Sequence, residues 1–201
     1  MTAASSTTAA SSLSGLLQAK ASAKEIESFL DGLSPSARLE QVLSITGPGV
    51  GRLYHAVADA PPIPLEEFIP QSTKGTLIYE GRNSLPMFTR FQKRFARGPS
   101  GEVVGYNHQT MSIVTGPGFF VVKPPSGQGE HGKELLFDYT ERPPFIPEGW
   151  PAFKSNESGF SRFVYRNMKD YCRRVARGVV VGKAYELDVD RHAYFSLTLP
   201  T

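Results

Sequence analysis

Residues 102–123 read EVVGYNHQTMSIVTGPGFFVVK, and this stretch decides the fold class. Two segments rich in β-branched and aromatic residues, 102–114 and 119–123, flank the sequence Thr115-Gly-Pro-Gly118. Such residues favour strands, and glycine next to proline favours a tight reversal of the chain. The stretch therefore predicts two antiparallel strands joined as a β-hairpin.

Similar strand patterns lie on both sides of this hairpin. Each is short, rich in β-branched or aromatic residues, and bounded by glycine, proline or asparagine. They cover 76–80, 134–139, 160–165, 179–187 and 193–199, and 87–97 fits either a strand or a short helix. Roughly seven antiparallel strands in one region are typical of a strongly curved sheet or a closed barrel.

Helical patterns precede the strands. Apolar residues recur at helical spacing from Ile26 to Leu33, with Ser22 and Glu25 placed as a capping box. Two more helices are predicted, one that starts at Ser34-Pro35 and one that covers residues 50–57. The residues before them, 1–12, are alanine, serine and threonine after the first methionine, which predicts a disordered tail.

These patterns predict an α+β fold in one domain. The N-terminal helices occupy residues 13–60, and an antiparallel, strongly curved sheet or β-barrel occupies residues 61–201. One more helix is predicted inside the strand region, between Asn167 and Gly178, with a strand over 167–177 as the alternative. Its apolar residues at helical spacing are Met168, Tyr171, Cys172 and Val175.

Composition narrows the class of protein. The chain has 201 residues and a net charge of only +3, which is too small to indicate a nucleic-acid partner. Cys172 is the only cysteine, and neither a secretory signal nor an apolar run of about 20 residues is present. We therefore expect a cytoplasmic protein without a disulfide or a membrane span. The sequence does not indicate an oligomeric state.

The usual motifs of metal, nucleotide and nucleophile chemistry are missing. No histidine stands four residues from another histidine or from the cysteine, so we predict no metal site. No Gly-x-Ser-x-Gly motif occurs, and the glycines at 47–51 lack the lysine of a phosphate-binding loop. We predict no cofactor. Cys172 is expected to be a buried, inert thiol, and Asp170 to pair with Arg166, Arg173 or Arg174.

The middle of the strand at 102–114 carries the main functional signal. Tyr106, Asn107 and His108 place polar side chains on both faces of a segment that otherwise favours burial. A buried polar group without a partner costs about 1–3 kcal/mol. We interpret this as Asn107 or His108 pointing into a solvated cavity that holds a ligand. An edge strand with local hydrogen bonds is the alternative.

Two further residues are candidates for the same site. Arg82 lies in the turn 81–86 and could bind a carboxylate bidentately, although the turn itself needs no ligand. Tyr194 lies on the polar face of the last strand, which is either a solvent face or the lining of a barrel. The many aromatic residues around residues 79–165 suit a core, or an apolar pocket with a few polar anchors.

A resemblance supports the barrel. The segment Gly178-Val-Val-Val-Gly-Lys-Ala-Tyr185, followed by Tyr194-Phe-Ser-Leu197, resembles the closing hairpin of lipocalin-like (calycin) β-barrels. It covers residues 178–197 only, and Gly75-Thr76-Leu77 stands where those barrels usually carry a Gly-x-Trp motif. The resemblance implies a barrel that binds a small apolar molecule.

Three functional hypotheses follow. The first is a binding or carrier protein for an apolar, acidic, lipid-like small molecule, anchored by Arg82, Tyr106, Asn107, His108 and Tyr194. The second is a general acid–base enzyme (an isomerase, cyclase or hydratase), which needs His108 or Asp170 within hydrogen-bond reach of another titratable group. The third is an interaction module that docks its basic helix, Lys169–Arg177, on an acidic surface and needs no cavity.

Overall fold

The computed structural model describes residues 12–86, 89–108, 117–153 and 167–201. In these ranges the helices are α1 Leu13–Gln18, α2 Ala23–Asp31, α3 Pro35–Ser44, α4 Pro48–Ala56 and α5 Leu65–Phe68. The strands are β1 Leu77–Asn83, β2 Arg90–Arg97, β3 Val103–His108, β4 Phe119–Lys123, β5 Leu135–Asp138, β6 Met168–Ala176, β7 Val179–Glu186 and β8 Val189–Thr198.

The strands form a closed antiparallel barrel. Each strand pairs with the next along the chain, and β1 pairs with β8 through the register Gly81 opposite Leu197. Closure leaves no unpaired sheet edge. The predicted α+β fold, with N-terminal helices followed by an antiparallel barrel, is confirmed.

The helix ends follow the predicted capping chemistry. The backbone N–H of Glu25 donates to Ser22 Oγ at 3.3 Å, and the backbone N–H of Ser22 donates to the Glu25 carboxylate at 2.8 Å. Ser34 caps α3, whose first residue is a proline. Helices α1 and α5 are not apparent from the sequence, because six and four residues are too few to show a helical period.

Helices α1 to α4 pack on the outer face of β6, β7 and β8. Apolar residues of the helices form one core with outward-facing valines of β6 and β7, such as Val175, Val179 and Val181. Arg38 is buried in this layer and donates to the carbonyl oxygens of Leu30, Leu33 and Arg177 at 2.9, 3.3 and 2.7 Å. A single guanidinium thus joins the carboxyl end of α2 to the turn between β6 and β7.

Helix α5 closes one end of the barrel. The Phe68 ring enters the interior and stacks on the rings of Tyr79 and Phe137, with centroid distances of 4.8 and 5.7 Å. The Tyr79 hydroxyl donates to the Phe68 carbonyl oxygen at 2.8 Å. This end of the interior is therefore filled with side chains.

Three phenylalanine rings of the interior lie over glycines of a neighbouring strand. The cross-strand pairs are Gly81–Phe91, Gly105–Phe120 and Gly182–Phe195. A Cβ atom built on these glycines would come within 2.6, 2.4 and 2.3 Å of the facing ring. Each ring thus occupies the space of a missing side chain and lies close to the barrel wall.

The helix predicted between Asn167 and Gly178 is wrong, because residues 168–176 form strand β6. Two residues four apart share a face in a strand as well as in a helix. Met168 and Cys172 point into the barrel, whereas Tyr171 and Val175 point to the outer face, which the helices and a loop cover. Because apolar residues of this strand are buried on both faces, they recur in the sequence at the same spacing as the apolar face of a helix. Cys172 is buried as predicted, but inside the barrel.

The basic segment Lys169–Arg177 is therefore not a helix either, because most of it belongs to strand β6. Three of its four cations form ion pairs within the protein. Arg173 bonds Glu134 at 2.7 Å, and Lys169 bonds Asp188 at 3.0 Å. Arg174 bonds Glu27 of α2 and Glu67 of α5. These acids are distant in sequence, so the segment has an excess of positive charge only when it is considered alone.

Several predictions lie outside the described residues. These are the tail up to residue 11, the hairpin turn at 115–116, the end of the strand at 109–114 and the strand at 160–165. Ser12, the last residue of the predicted tail, caps α1. Each described helix is shorter or less apolar than a membrane-crossing segment requires.

We expect Gly182→Ala to lower the free energy of unfolding by about 1–3 kcal/mol, the usual cost of overpacking a core. The added methyl group would lie 2.3 Å from Phe195 and 2.8 Å from Cys172 Sγ. Urea unfolding measures the change. Gly32→Ala is the matched control, because φ is −74° there and the nearest atom is 3.4 Å away. Equal stability of Gly182→Ala and the wild type would contradict the packing of the ring on the glycine.

Candidate ligand-binding cavity

A cavity of about 130 Å³ lies at the end of the barrel opposite α5. Its apolar wall is made by Phe91, Met168, Ala184, Ala193 and Phe195. Leu85, which is 49% exposed, is part of its rim. The polar residues in its lining include Asn83, Lys93, Asn107, Tyr139 and Asp170, and the last four form one hydrogen-bonded group.

Lys93 is the centre of this group and is only 3% exposed. Its Nζ donates to Asn107 Oδ1 at 2.8 Å, to the Tyr139 hydroxyl oxygen at 2.5 Å and to Asp170 Oδ2 at 3.1 Å. An ammonium group has three hydrogens to donate. The three oxygens therefore account for all of them.

Aromatic rings surround the same ammonium group. Nζ lies 4.9 Å from the ring centroids of Phe120 and Phe195, 5.2 Å from Tyr139, 5.5 Å from Phe137 and 5.8 Å from Phe91. The face of an aromatic ring attracts a cation, and the attraction is stronger where water is excluded. The rings thus replace part of the hydration that Lys93 loses.

Burial acts in opposite directions on the two charged residues. It lowers the pKa of Lys93, against the attraction of Asp170. It raises the pKa of Asp170, against the ion pair with Lys93 and the hydrogen bond from Tyr139. Each residue therefore depends on the other to remain charged.

The two carboxylate oxygens of Asp170 differ. Oδ2 accepts from Lys93 and from the Tyr139 hydroxyl, both at 3.1 Å, and Asn107 Nδ2 donates to that hydroxyl at 3.1 Å. Oδ1 is buried and accepts no hydrogen bond from any residue that the structure describes. One acceptor beside the cavity is thus left for a partner that is not part of the described chain.

The structure places two of the five predicted site residues at the cavity. Asn107 points inward and bonds Lys93. Tyr194 is part of the lining, but its ring packs on the outer helices, 5.5 Å from the Tyr54 ring, and its hydroxyl lies 3.3 Å from His55 Nε2.

The other three predicted residues lie on the outer face of the barrel. Tyr106 is buried beneath Trp150, with ring centroids 4.7 Å apart. His108 shares that face, where burial and the charge of Arg94 lower its pKa. Arg82 is opposite Arg90 and Ser196 in neighbouring strands. Consecutive residues of a strand point to opposite faces, so Tyr106, Asn107 and His108 cannot all line the cavity.

Sequence reasoning missed Lys93, Tyr139 and the role of Asp170. The predicted pairing of Asp170 with an arginine is wrong, because its partner is Lys93, 77 residues away. One signal was present: Phe91, Lys93 and Phe95 share one face of β2, and the two phenylalanines are buried in the core. A lysine between two such residues indicates an inward-pointing cation.

No family model, curated protein or solved structure matches this chain. Within the described ranges, no three histidine, cysteine, aspartate or glutamate side chains are grouped to hold a metal ion.

We expect Lys93→Met to lower the free energy of unfolding at pH 7 by about 3–5 kcal/mol, because it leaves the Asp170 carboxylate buried without its cation. Lys169→Met breaks a pair whose Asp188 side chain is 73% exposed, and should cost about 0–1 kcal/mol. Urea unfolding of both variants makes the comparison. Equal costs would show that Lys93 and Asp170 form a neutral pair.

The same variant should also change the pH dependence of stability. Burial raises the pKa of Asp170 above its ordinary value of 3.8, and Lys93→Met removes the cation that opposes this. A raised carboxyl pKa stabilises the fold below the unfolded-state value, and this stability is lost as the pH rises through the folded-state value. The free energy of unfolding of Lys93→Met should thus fall, relative to the wild type, as the pH rises above the unfolded-state pKa of Asp170. Parallel curves for the two proteins would contradict this.

Proposed function

We propose that the barrel binds a small, largely apolar molecule in the cavity between Lys93, Asp170 and the aromatic wall. The observation that carries the proposal is the composition of the lining: apolar and aromatic side chains with a few convergent polar groups. Small-molecule sites usually have this composition and often lie in the mouth of a barrel. The closed eight-stranded barrel also supports the resemblance to lipocalin-like binding proteins.

The free volume limits the size of the ligand. A cavity of about 150 Å³ is known to hold benzene, and this one has about 130 Å³. Phe68, Phe95 and Phe137 fill the space below it. We therefore propose a ligand whose buried part is about the size of one aromatic ring, rather than a long acyl chain.

The charges of the cavity favour a neutral ligand over an acidic one. Lys93 faces Asp170 at 3.1 Å, so the charges of the pair cancel. Arg82, the cation expected to bind an acid, lies on the outer face, where it is opposite Ser196 of β8. An anion in the cavity would thus meet no free cation among the residues described.

Fold stability alone does not account for the polar group. Replacing a buried ion pair with apolar residues of similar volume is often neutral or stabilising. A lysine in the middle of an aromatic core is therefore better explained by a role in binding.

We expect toluene and phenol, used as probes, to bind the wild type in a saturable way by isothermal titration calorimetry. Ala184→Leu should weaken this binding at least tenfold, because the larger side chain fills part of a cavity that Ala184 lines. Ala58→Leu is the control, since Ala58 is exposed and lies outside the cavity. Absence of saturable binding to the wild type would overturn the proposal.

A second candidate function is general acid–base catalysis in the same cavity. Asp170 lies within hydrogen-bond distance of two other titratable groups, Lys93 and Tyr139, as the enzyme hypothesis requires. The shared proton network allows a proton to be taken up or released beside a bound molecule.

This candidate can be tested with cyclohexanone in heavy water. Proton NMR should show that the protein accelerates deuterium exchange at the carbons next to the carbonyl, and that Asp170→Asn abolishes the acceleration. If cyclohexanone exchanges no faster with the protein than in buffer alone, the catalytic function is contradicted and binding remains the proposed function.

A further inference from the structure

Asp170 differs in how its oxygens are bonded from Asp138 and Glu134, the other two acidic residues in the described chain whose side chains are almost fully buried. Asp138 and Glu134 are both 4% exposed, like Asp170 at 3%. In Asp138, Oδ1 accepts from Thr140 and Oδ2 accepts from Lys123. In Glu134, Oε1 accepts from Arg173 and Oε2 lies 3.0 Å from His131 Nδ1. Only Asp170, of these three, has an oxygen that lacks a hydrogen-bond donor.

The position of this oxygen is also distinctive. Asp138 and Glu134 do not line the cavity, whereas Asp170 does. A buried carboxylate oxygen without a donor is unfavourable, and such groups in folded proteins usually find a protein, water or ligand partner. The missing donor therefore belongs in the cavity.

The neighbouring residues restrict what can supply that donor. The three hydrogens of the Lys93 ammonium are used by Asn107, Tyr139 and Asp170. A carboxylate ligand would bring a negative charge next to Asp170 Oδ1 and would offer it no hydrogen. A hydrocarbon would fill the space and leave the oxygen unbonded.

We infer that the cavity takes a neutral compound with one O–H or N–H group, such as a phenol or a small alcohol, which donates to Asp170 Oδ1. This inference rests on the proposed function and names the class of ligand. The apolar part of the compound lies against Phe91 and Phe195, and its donor points towards β6. Asp170 is thus the specificity determinant of the cavity.

The test compares three probes of similar size on the wild-type protein by isothermal titration calorimetry. Phenol and toluene are nearly the same shape, and only phenol donates a hydrogen bond, while benzoate is an anion. We expect phenol to bind at least tenfold more tightly than toluene, since a hydrogen bond to a charged group commonly contributes that much. Benzoate should bind more weakly than both.

Two variants then assign the effect to Asp170. In Asp170→Asn the amide oxygen can accept from Lys93 while its NH₂ faces the cavity, so the preference for phenol over toluene should fall at least tenfold. Asp138→Asn changes an equally buried aspartate outside the cavity and should leave the preference unchanged. The comparison of the three probes on the wild-type protein tests the inference even if Asp170→Asn does not fold.

The outcomes separate this inference from the proposed function. Toluene that binds as tightly as phenol would overturn the inference and leave the cavity as a binding site, with water as the partner of Oδ1. Benzoate as the tightest ligand would overturn the inference in favour of an acid. Failure of all three probes to bind would overturn both.

Discussion

Lys93 on β2 and Asp170 on β6 are joined across the inside of the barrel, and the remaining interior is arranged around this ion pair. Two opposite charges at this depth need hydrogen-bond partners and polarisable neighbours. Asn107 on β3 and Tyr139 at the end of β5 supply the hydrogen bonds, and the aromatic rings are the polarisable neighbours. The pair thus requires contributions from four strands, which only a closed and correctly registered barrel brings together.

The outer surface shows the same dependence on long-range contacts. The helical layer covers β6 to β8, so these strands bury residues on both faces, and the arginines of β6 reach acids of α2, α5 and the loop before β5. Arg38 joins that layer to the β6–β7 turn. The charge of any one segment of this chain therefore says little about the charge of the folded surface.

Local patterns predicted the local structure well. The capping box at Ser22, the start of α3 at Ser34 and the closing hairpin of β7 and β8 depend on residues close in sequence, and the structure contains all three. Strand β6 was misread because a strand buried on both faces has no alternation to show.

The candidate site was predictable only in part. The structure puts Asn107 in the cavity, and a polar residue on a buried strand face is visible in the sequence. The partners of Asn107 are not visible in the sequence. Lys93 contacts Tyr139 and Asp170, which lie 46 and 77 residues away along the chain, and sequence spacing carries no information on such contacts. The register of the barrel decides them.

The glycines beneath the phenylalanine rings have a consequence for how this pocket can change in evolution. Phe91 and Phe195 border the cavity, and each lies back against the wall because Gly81 or Gly182 offers no side chain behind it. The volume available to a ligand therefore depends on Gly81 and Gly182, two residues that lie behind the rings and do not line the cavity. A change at either one would push a ring inward and retune the size of molecule accepted, with every lining residue left intact.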